Sequence, residues 1–215
     1  QSKASAEARY IMAKHLRILE HLGGSLKDCV KLEIYLKDLA DVWDLEKVMC
    51  ESFGDELPAR SYIPTVRLGP THCRVEITAI CRKPGTNEKI ARINDSKVKA
   101  DSWLSPLAVE YAGFVFTSSL AGHLPSRLDV SVPLADQINR LFEALQGIGP
   151  LRKGGVESAL FASIQIAETV DLGELRWNFQ QVQGQDRIAI SPVVVQSPLL
   201  WVRGGVQADF ICAAN

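Results

Sequence analysis

Residues 29–37 read CVKLEIYLK, and this stretch decides the fold class. Val30, Leu32, Ile34 and Leu36 alternate with Lys31, Glu33, Tyr35 and Lys37. That two-residue period belongs to a strand with one buried and one polar face. Upstream, Met12, Leu16, Leu19 and Leu22 recur at three- and four-residue steps, which predicts an amphipathic helix over 4–23 stopped by Gly23-Gly24. Downstream, Asp41 is a candidate N-cap for a second helix with the stripe Val42, Leu45, Val48 or Met49, and Phe53, closed by Gly54. Two strands should follow, ARSYIPTVRL (59–68) and CRVEITAIC (73–81), joined by a turn at Gly69-Pro70-Thr71. In the second of them Val75, Ile77, Ala79 and Cys81 share a face, so Glu76 points away from the helices.

Residues 84–101 (PGTNEKIARINDSKVKAD) are polar, open with Pro-Gly and hold no period, so they read as a linker. Beyond them come two apolar runs, LAVEYAG and FVFTSSLAG, and then the earlier order returns. A helix opens near Ser131-Val132-Pro133 and carries Leu134, Ile138, Leu141, Leu145 and Ile148. The next strand alternates Leu160, Ala162, Ile164 and Ile166 with Phe161, Ser163, Gln165 and Ala167. A helix with Leu172, Leu175, Phe179 and Val182 follows, then the strands RIAISPVVV and GVQADFICA. Helix-strand-helix-strand-strand thus occurs twice, offset by about 130 residues, the mark of a tandem repeat. The expected class is α+β, with two domains that each place two helices on one face of a mixed sheet. The boundaries are 1–83, a linker at 84–101, and 102–215. The first copy lacks the two strands that precede the first helix of the second. It is therefore completed by another chain or element, or it belongs to a longer protein, since a missing pair of strands exposes a sheet edge.

Composition narrows the function. The 215 residues include 24 basic and 25 acidic side chains, a formal net charge of −1, with 47% hydrophobic residues. These values fit a globular chain and not a disordered one. Nucleic-acid binding calls for a surplus of Lys and Arg that is absent here. No apolar run approaches the roughly 20 residues of a membrane span. The opening QSKASAEAR has no secretory pattern, and the expected location is the cytoplasm. Because the chain begins with Gln, Gln1 need not be a natural start. Five cysteines (Cys29, Cys50, Cys73, Cys81, Cys212) without a C-x-x-C pair argue for reduced, mostly buried thiols over a disulfide framework or zinc site. His15 and His21 fall on different helix faces, and His72 and His123 stand alone, so no metal site is expected.

The residues with chemical potential are PARS at 58–61 and VEI at 75–77. An arginine at a strand start can offer its planar fork to a carboxylate. A glutamate on a neighbouring strand can hold and deprotonate a water. Together they suit hydrolysis of a small carboxylate-bearing molecule, though Arg beside Glu on a sheet is also the ordinary make-up of a surface ion pair. With a hairpin turn near Pro70, Glu76 would face Pro64, and Arg60 would lie about 13 Å along the strand. The two would then reach toward a molecule held between them. Ser118-Ser119 can bind a carboxylate or serve as local backbone partners, and no G-x-S-x-G elbow surrounds them. Gly154-Gly155 and Gly204-Gly205 have no phosphate-binding spacing.

The segment SLKDCVKLEIYLKDLADVWDLEKVMCESFGDELPARSYIPTVRLGPTHCRVEITAI (25–80), with its PAR…VEI signature, resembles the Rid family of reactive intermediate or imine deaminases, YjgF-like proteins once labelled endoribonucleases. EYAGFVFTSSLAG in the second copy is similar to the family's second strand and Ser-Gly turn, with Ser119 where glycine is usual. The resemblance implies a chorismate-mutase-like α+β fold and a trimer-like homo-oligomer with clefts between subunits. It also implies cofactor-free hydrolysis of enamines or imines, such as 2-aminoacrylate, to keto acid and ammonia. By position Arg60 would bind the substrate carboxylate, Glu76 would place the water, and Tyr62 and Ser118 would line the pocket. Departures are Tyr62 for a cysteine, Glu46 for an asparagine and Met49 for an aromatic. Pro106-Leu107 stands for Pro-Tyr, QDRI with Arg187 for PARS, and Asp209 for the glutamate. Glu46 would disfavour an anionic substrate, and the second copy reads as catalytically degenerate. The alternative is a non-catalytic metabolite-binding or assembly module, like the Rid-like pair at the C-terminal end of eukaryotic diphthine–ammonia ligase. No ATP motif is present in this chain. RNA cleavage has no basic stripe, stacking platform or His pair behind it.

Overall fold

A computed structural model describes residues 2–69, 72–94, 104–121, 132–151, 155–183, 188–195 and 205–214. Helix α1 (Lys3–His21) leads to strand β1 (Cys29–Leu36), helix α2 (Val42–Phe53), and strands β2 (Ala59–Pro64) and β3 (Val75–Cys81). These strands form a three-stranded sheet in the order β2-β1-β3, with β2 parallel and β3 antiparallel to β1. The buried stripe of α2 (Val42, Leu45, Val48, Met49 and Phe53) meets Leu32, Ile34 and Leu36 of β1, and Ala4, Ala8, Met12 and Leu19 of α1 complete the same core. Each fully buried Leu, Ile, Val or Met contributes about 1.5–3 kcal/mol, so this core fixes both helices on one face.

Strand β4 (Ala91–Ile93) pairs with β5 (Ala108–Tyr111), which forms a hairpin with β6 (Phe114–Thr117). Next come β7 (Leu120–Ala121), α3 (Leu134–Gly147), β8 (Ala159–Ala167), α4 (Leu172–Gln183), β9 (Ala189–Val195) and β10 (Val206–Ala213). The second sheet runs β4-β5-β6-β10-β8-β9, with β7 also on β10. Its core is Ile138, Leu141, Phe142 and Leu145 of α3 and Leu175 and Phe179 of α4, packed on Ala162, Ile164, Ile166 and Phe210. Phe142 stands edge-on to Phe179 at 5.5 Å between ring centroids.

Several expectations are corrected. Residues 59–81 are not a hairpin, because β1 lies between β2 and β3. A parallel β1–β2 pair with α2 as its crossover, together with β3 on the other side, pairs both edges of β1, which a β2–β3 hairpin would not do. Strand β2 stops at Pro64, short of Leu68. The stretch 84–101, read as a linker, contributes β4 to the second sheet through Ala91, Arg92 and Ile93. Asp41 precedes α2 but does not cap it with its side chain; its carboxylate instead binds Arg74 at 2.6 Å. Leu22 and Leu160 are exposed, Leu160 at a register shift between Ile211 and Cys212 that turns it out of the alternation. Arg187, His123, Ser131, Pro70 and Thr71 lie outside the described residues. Among the described residues no helix is long and apolar enough to cross a membrane.

The two sheets meet through their helix-free faces. Val30 and Ala59 pack on Val109 and Phe116. Beside that apolar contact, Lys31 Nζ donates to Ser61 Oγ (2.7 Å) and to the Thr117 carbonyl (2.6 Å), and pairs with Asp209 at 2.9 Å.

Candidate functional site

Arg60 sits one residue into β2, opposite Leu32 of β1. Leu32 faces the helices, and paired residues share a face, so the Arg60 side chain enters the layer between sheet and α2. There it is 2% exposed. Its Nε and Nη2 each donate to one oxygen of Glu46 at 2.6 Å, a two-pronged pair, while Nη1 donates to the carbonyls of Ser105 (2.9 Å) and Pro58 (3.2 Å). The fork is thus engaged on every nitrogen, and a carboxylate of the protein takes the place that a bound carboxylate would use. Burial opposes the guanidinium charge, but the Glu46 carboxylate outweighs it and holds the arginine above its ordinary pKa.

Tyr62, two residues on and on the same face, donates its hydroxyl to Glu46 Oε1 at 2.5 Å. Burial first, and then the negative Glu46, push the phenol well above its usual pKa. Glu46 therefore accepts from both Arg60 and Tyr62, and α2 is clamped to β2 through one carboxylate. Ser118 reaches the site from the second sheet. Its hydroxyl accepts from the Arg60 N–H (3.0 Å) and donates to the Pro106 carbonyl (2.7 Å), and the Ser119 N–H donates to the Arg60 carbonyl (3.1 Å). Gln207 Nε2 bridges the Tyr62 carbonyl and Ser119 Oγ. The outer edge of β2 is thereby satisfied by the second sheet, as buried backbone groups require.

The structure brings Arg60, Tyr62 and Ser118 together and leaves Glu76 apart. Glu76 pairs with Tyr35 of β1, which in turn pairs with Ile63 of β2. Ile63 is an odd number of residues from Arg60, so Glu76 and Arg60 project from opposite faces of the sheet. Glu76 is exposed on the outer face beside Tyr35, whose hydroxyl donates to Glu33 at 2.9 Å. Burial and that carboxylate raise the Tyr35 pKa. Asp209, which the sequence suggests as a shortened counterpart of the glutamate, is the buried counter-ion of Lys31. Sequence reasoning missed the Lys31–Asp209 pair. Its signal is a lysine in the middle of an otherwise apolar strand start. Among the described residues no group of acidic, His or Cys side chains is arranged to hold a metal ion.

The endoribonuclease L-PSP family matches residues 1–83. A RutC family protein of Pyrococcus horikoshii is 38% identical over 77 residues, which are 36% of this chain and 60% of that protein. One from Pyrococcus abyssi is 44% identical over 66 residues, 31% of this chain and 51% of that protein. The 3-aminoacrylate deaminase RutC of Acinetobacter baylyi is 36% identical over 77 residues, 36% of this chain and 60% of that enzyme. The chain thus spans little more than half the length of these relatives. Among solved structures, a chorismatase aligns over 98% of this chain and 71% of its own at a TM-score of 0.64 and 13% identity. A yeast protein, YEO7, aligns over 59% of this chain and all of its own at 0.50 and 15%. At those identities the likeness is one of fold. Residues 1–83 of this chain are thus similar to the endoribonuclease L-PSP family and to RutC family proteins.

Proposed function

We propose that this chain is a Rid-type module that binds and assembles, and that deaminase chemistry at Arg60 is shut off by Glu46. The observation that carries the reading is the two-pronged Glu46–Arg60 pair, 2.6 Å on both prongs, with Tyr62 on the same carboxylate. A substrate carboxylate would have to displace an internal one that is already held in place. Glu76 projects from the opposite face of the sheet to Arg60 of the same chain, which supports a site without its own water-placing carboxylate. The first sheet ends on β3, an edge strand, which supports completion by another element or a trimer-like homo-oligomer in the cytoplasm. The Rid-like pair behind the ATP-using part of a diphthine–ammonia ligase is a setting of this kind.

The relation to a 3-aminoacrylate deaminase favours a second reading. In it Arg60 binds a carboxylate-bearing enamine or imine, water adds to the C=N carbon, and the C–N bond breaks to give keto acid and ammonia. Ammonia release from freshly generated 2-aminoacrylate separates the two. Wild type and Arg60→Ala should both match the buffer rate. Acceleration by the wild type that disappears in Arg60→Ala would overturn the proposal and establish the deaminase.

A further inference from the structure

Cys29 opens β1 and Cys81 closes β3, and the two are direct partners in the antiparallel ladder. Their sulfurs lie 3.1 Å apart, one thiol donating to the other, and both are reduced. Cys29 is buried, whereas Cys81 is half-buried on an edge strand. Asp28 and Arg82 tie the two strand ends together. The Arg82 N–H donates to the Asp28 carbonyl at 2.7 Å, and the Arg82 guanidinium holds the Asp28 carboxylate at 2.5 and 2.8 Å. The two strands are thus pinned one residue beyond the sulfurs.

We propose that Cys29 and Cys81 are an oxidation site that closes to a disulfide and staples the edge strand β3 to β1. Disulfide bonding needs the sulfurs at about 2.05 Å, a shortening of about an ångström that side-chain rotation supplies without moving the ladder. The roles follow from access. Cys81, the reachable sulfur, is the attacking thiolate, and the hydrogen bond from Cys29 lowers its pKa. Cys29 resolves. With a low-molecular-weight disulfide such as oxidised glutathione, Cys81 S⁻ attacks one sulfur, forms a mixed disulfide and expels one glutathione thiolate. Cys29 gives up its proton and attacks the Cys81 sulfur, expelling the second glutathione. The protein dithiol is oxidised by two electrons, and the small disulfide is reduced to two thiols. The target thus lies on β3, one of the two edge strands of the first sheet among the described residues.

The test equilibrates the whole chain with oxidised glutathione, blocks remaining thiols with iodoacetamide under native conditions, and maps the peptides. The expected result is a Cys29–Cys81 linked peptide that dithiothreitol releases, retained in Cys50→Ser and absent in Cys81→Ser. The oxidised wild type should also unfold at a higher guanidinium midpoint than its reduced form. Alkylation at both Cys29 and Cys81, a persistent glutathione adduct on Cys81, or linkage of either to another cysteine would overturn the proposal. The wild-type map decides by itself should Cys81→Ser fail to fold.

Discussion

Lys31 and Asp209 form an ion pair across the two sheets, with 3% and 4% of their side chains exposed. The lysine's other bonds go to Ser61 of the first sheet and Thr117 of the second, so one ammonium organises both. Removing one member of a buried pair strands the other charge, at a cost of about 3–5 kcal/mol. Lys31→Met should therefore lower stability by about that much in urea unfolding. The double variant Lys31→Met/Asp209→Leu should recover most of the loss, because apolar replacement of a whole buried pair is often neutral or better. Asp209 Oδ1, buried with no partner among the described residues, adds to that expectation. A double variant as unstable as the single would show that the pair itself supplies the stability.

The phenol of Tyr62 is expected to contribute to the alkaline limit of the fold. Its pKa is raised in the folded chain by burial and by Glu46. The unfolded chain therefore releases this proton first, from about pH 10. Stability is present below that pH and falls as pH rises toward the folded value. Tyr35, raised by burial and by Glu33, acts in the same direction. In Tyr62→Phe the decline of the unfolding free energy above pH 10 should be shallower than in the wild type. An unchanged slope would place the alkaline loss elsewhere.

Period and spacing made the element order legible. The stripe from Val42 to Phe53 and the alternation of Leu32, Ile34 and Leu36 state burial directly, whereas a register shift between Cys29 and Lys31 puts Val30 on the helix-free face and leaves Lys31 buried there. The order of strands in the sheet was not legible. A turn signal at Gly69-Pro70-Thr71 says that the chain reverses, and leaves unsaid that β1 stands between the strands that the turn joins. That intervening strand puts Arg60 and Glu76 on opposite faces. Glu46 could be seen as a carboxylate near a cleft. Its grip on Arg60 depends on where α2 crosses β2, a tertiary fact with no local signature.

Gly24 tests the corner that leads into β1. A Cβ there would lie 2.6 Å from Pro84 Cγ and 2.9 Å from Asp28 Oδ2. That same Asp28 oxygen accepts from the Ser25 N–H at 2.7 Å, and the carboxylate also anchors Arg82. Gly24→Ala should cost about 1–3 kcal/mol by crowding a packed site. Gly69→Ala, where a Cβ meets nothing within 4 Å among the described residues, should stay within about 0.5 kcal/mol. Paired thermal melts read both, and equal shifts would show that the corner yields.

Glu46 is the residue on which stability and function can be read together. Glu46→Ala leaves Arg60 charged and buried, with only two carbonyls and no counter-ion among the described residues, and removes the acceptor of the Tyr62 hydroxyl. A loss of about 3–5 kcal/mol is expected. The cavity left behind is bordered by a guanidinium fork of the kind that binds a small carboxylate through two parallel bonds. Acetate or pyruvate should therefore raise the melting temperature of Glu46→Ala in a concentration-dependent way, since a ligand that binds only the folded state stabilises it by mass action. The wild type should not respond, because its own carboxylate fills the position. Chloride at matched ionic strength controls for screening, and Glu46→Ala/Arg60→Met should lose the response. Rescue confined to the variant that keeps Arg60 would identify Glu46 as the internal occupant of a carboxylate site. Equal stabilisation of the wild type would mean that an external carboxylate already displaces Glu46, and the deaminase reading would then take precedence.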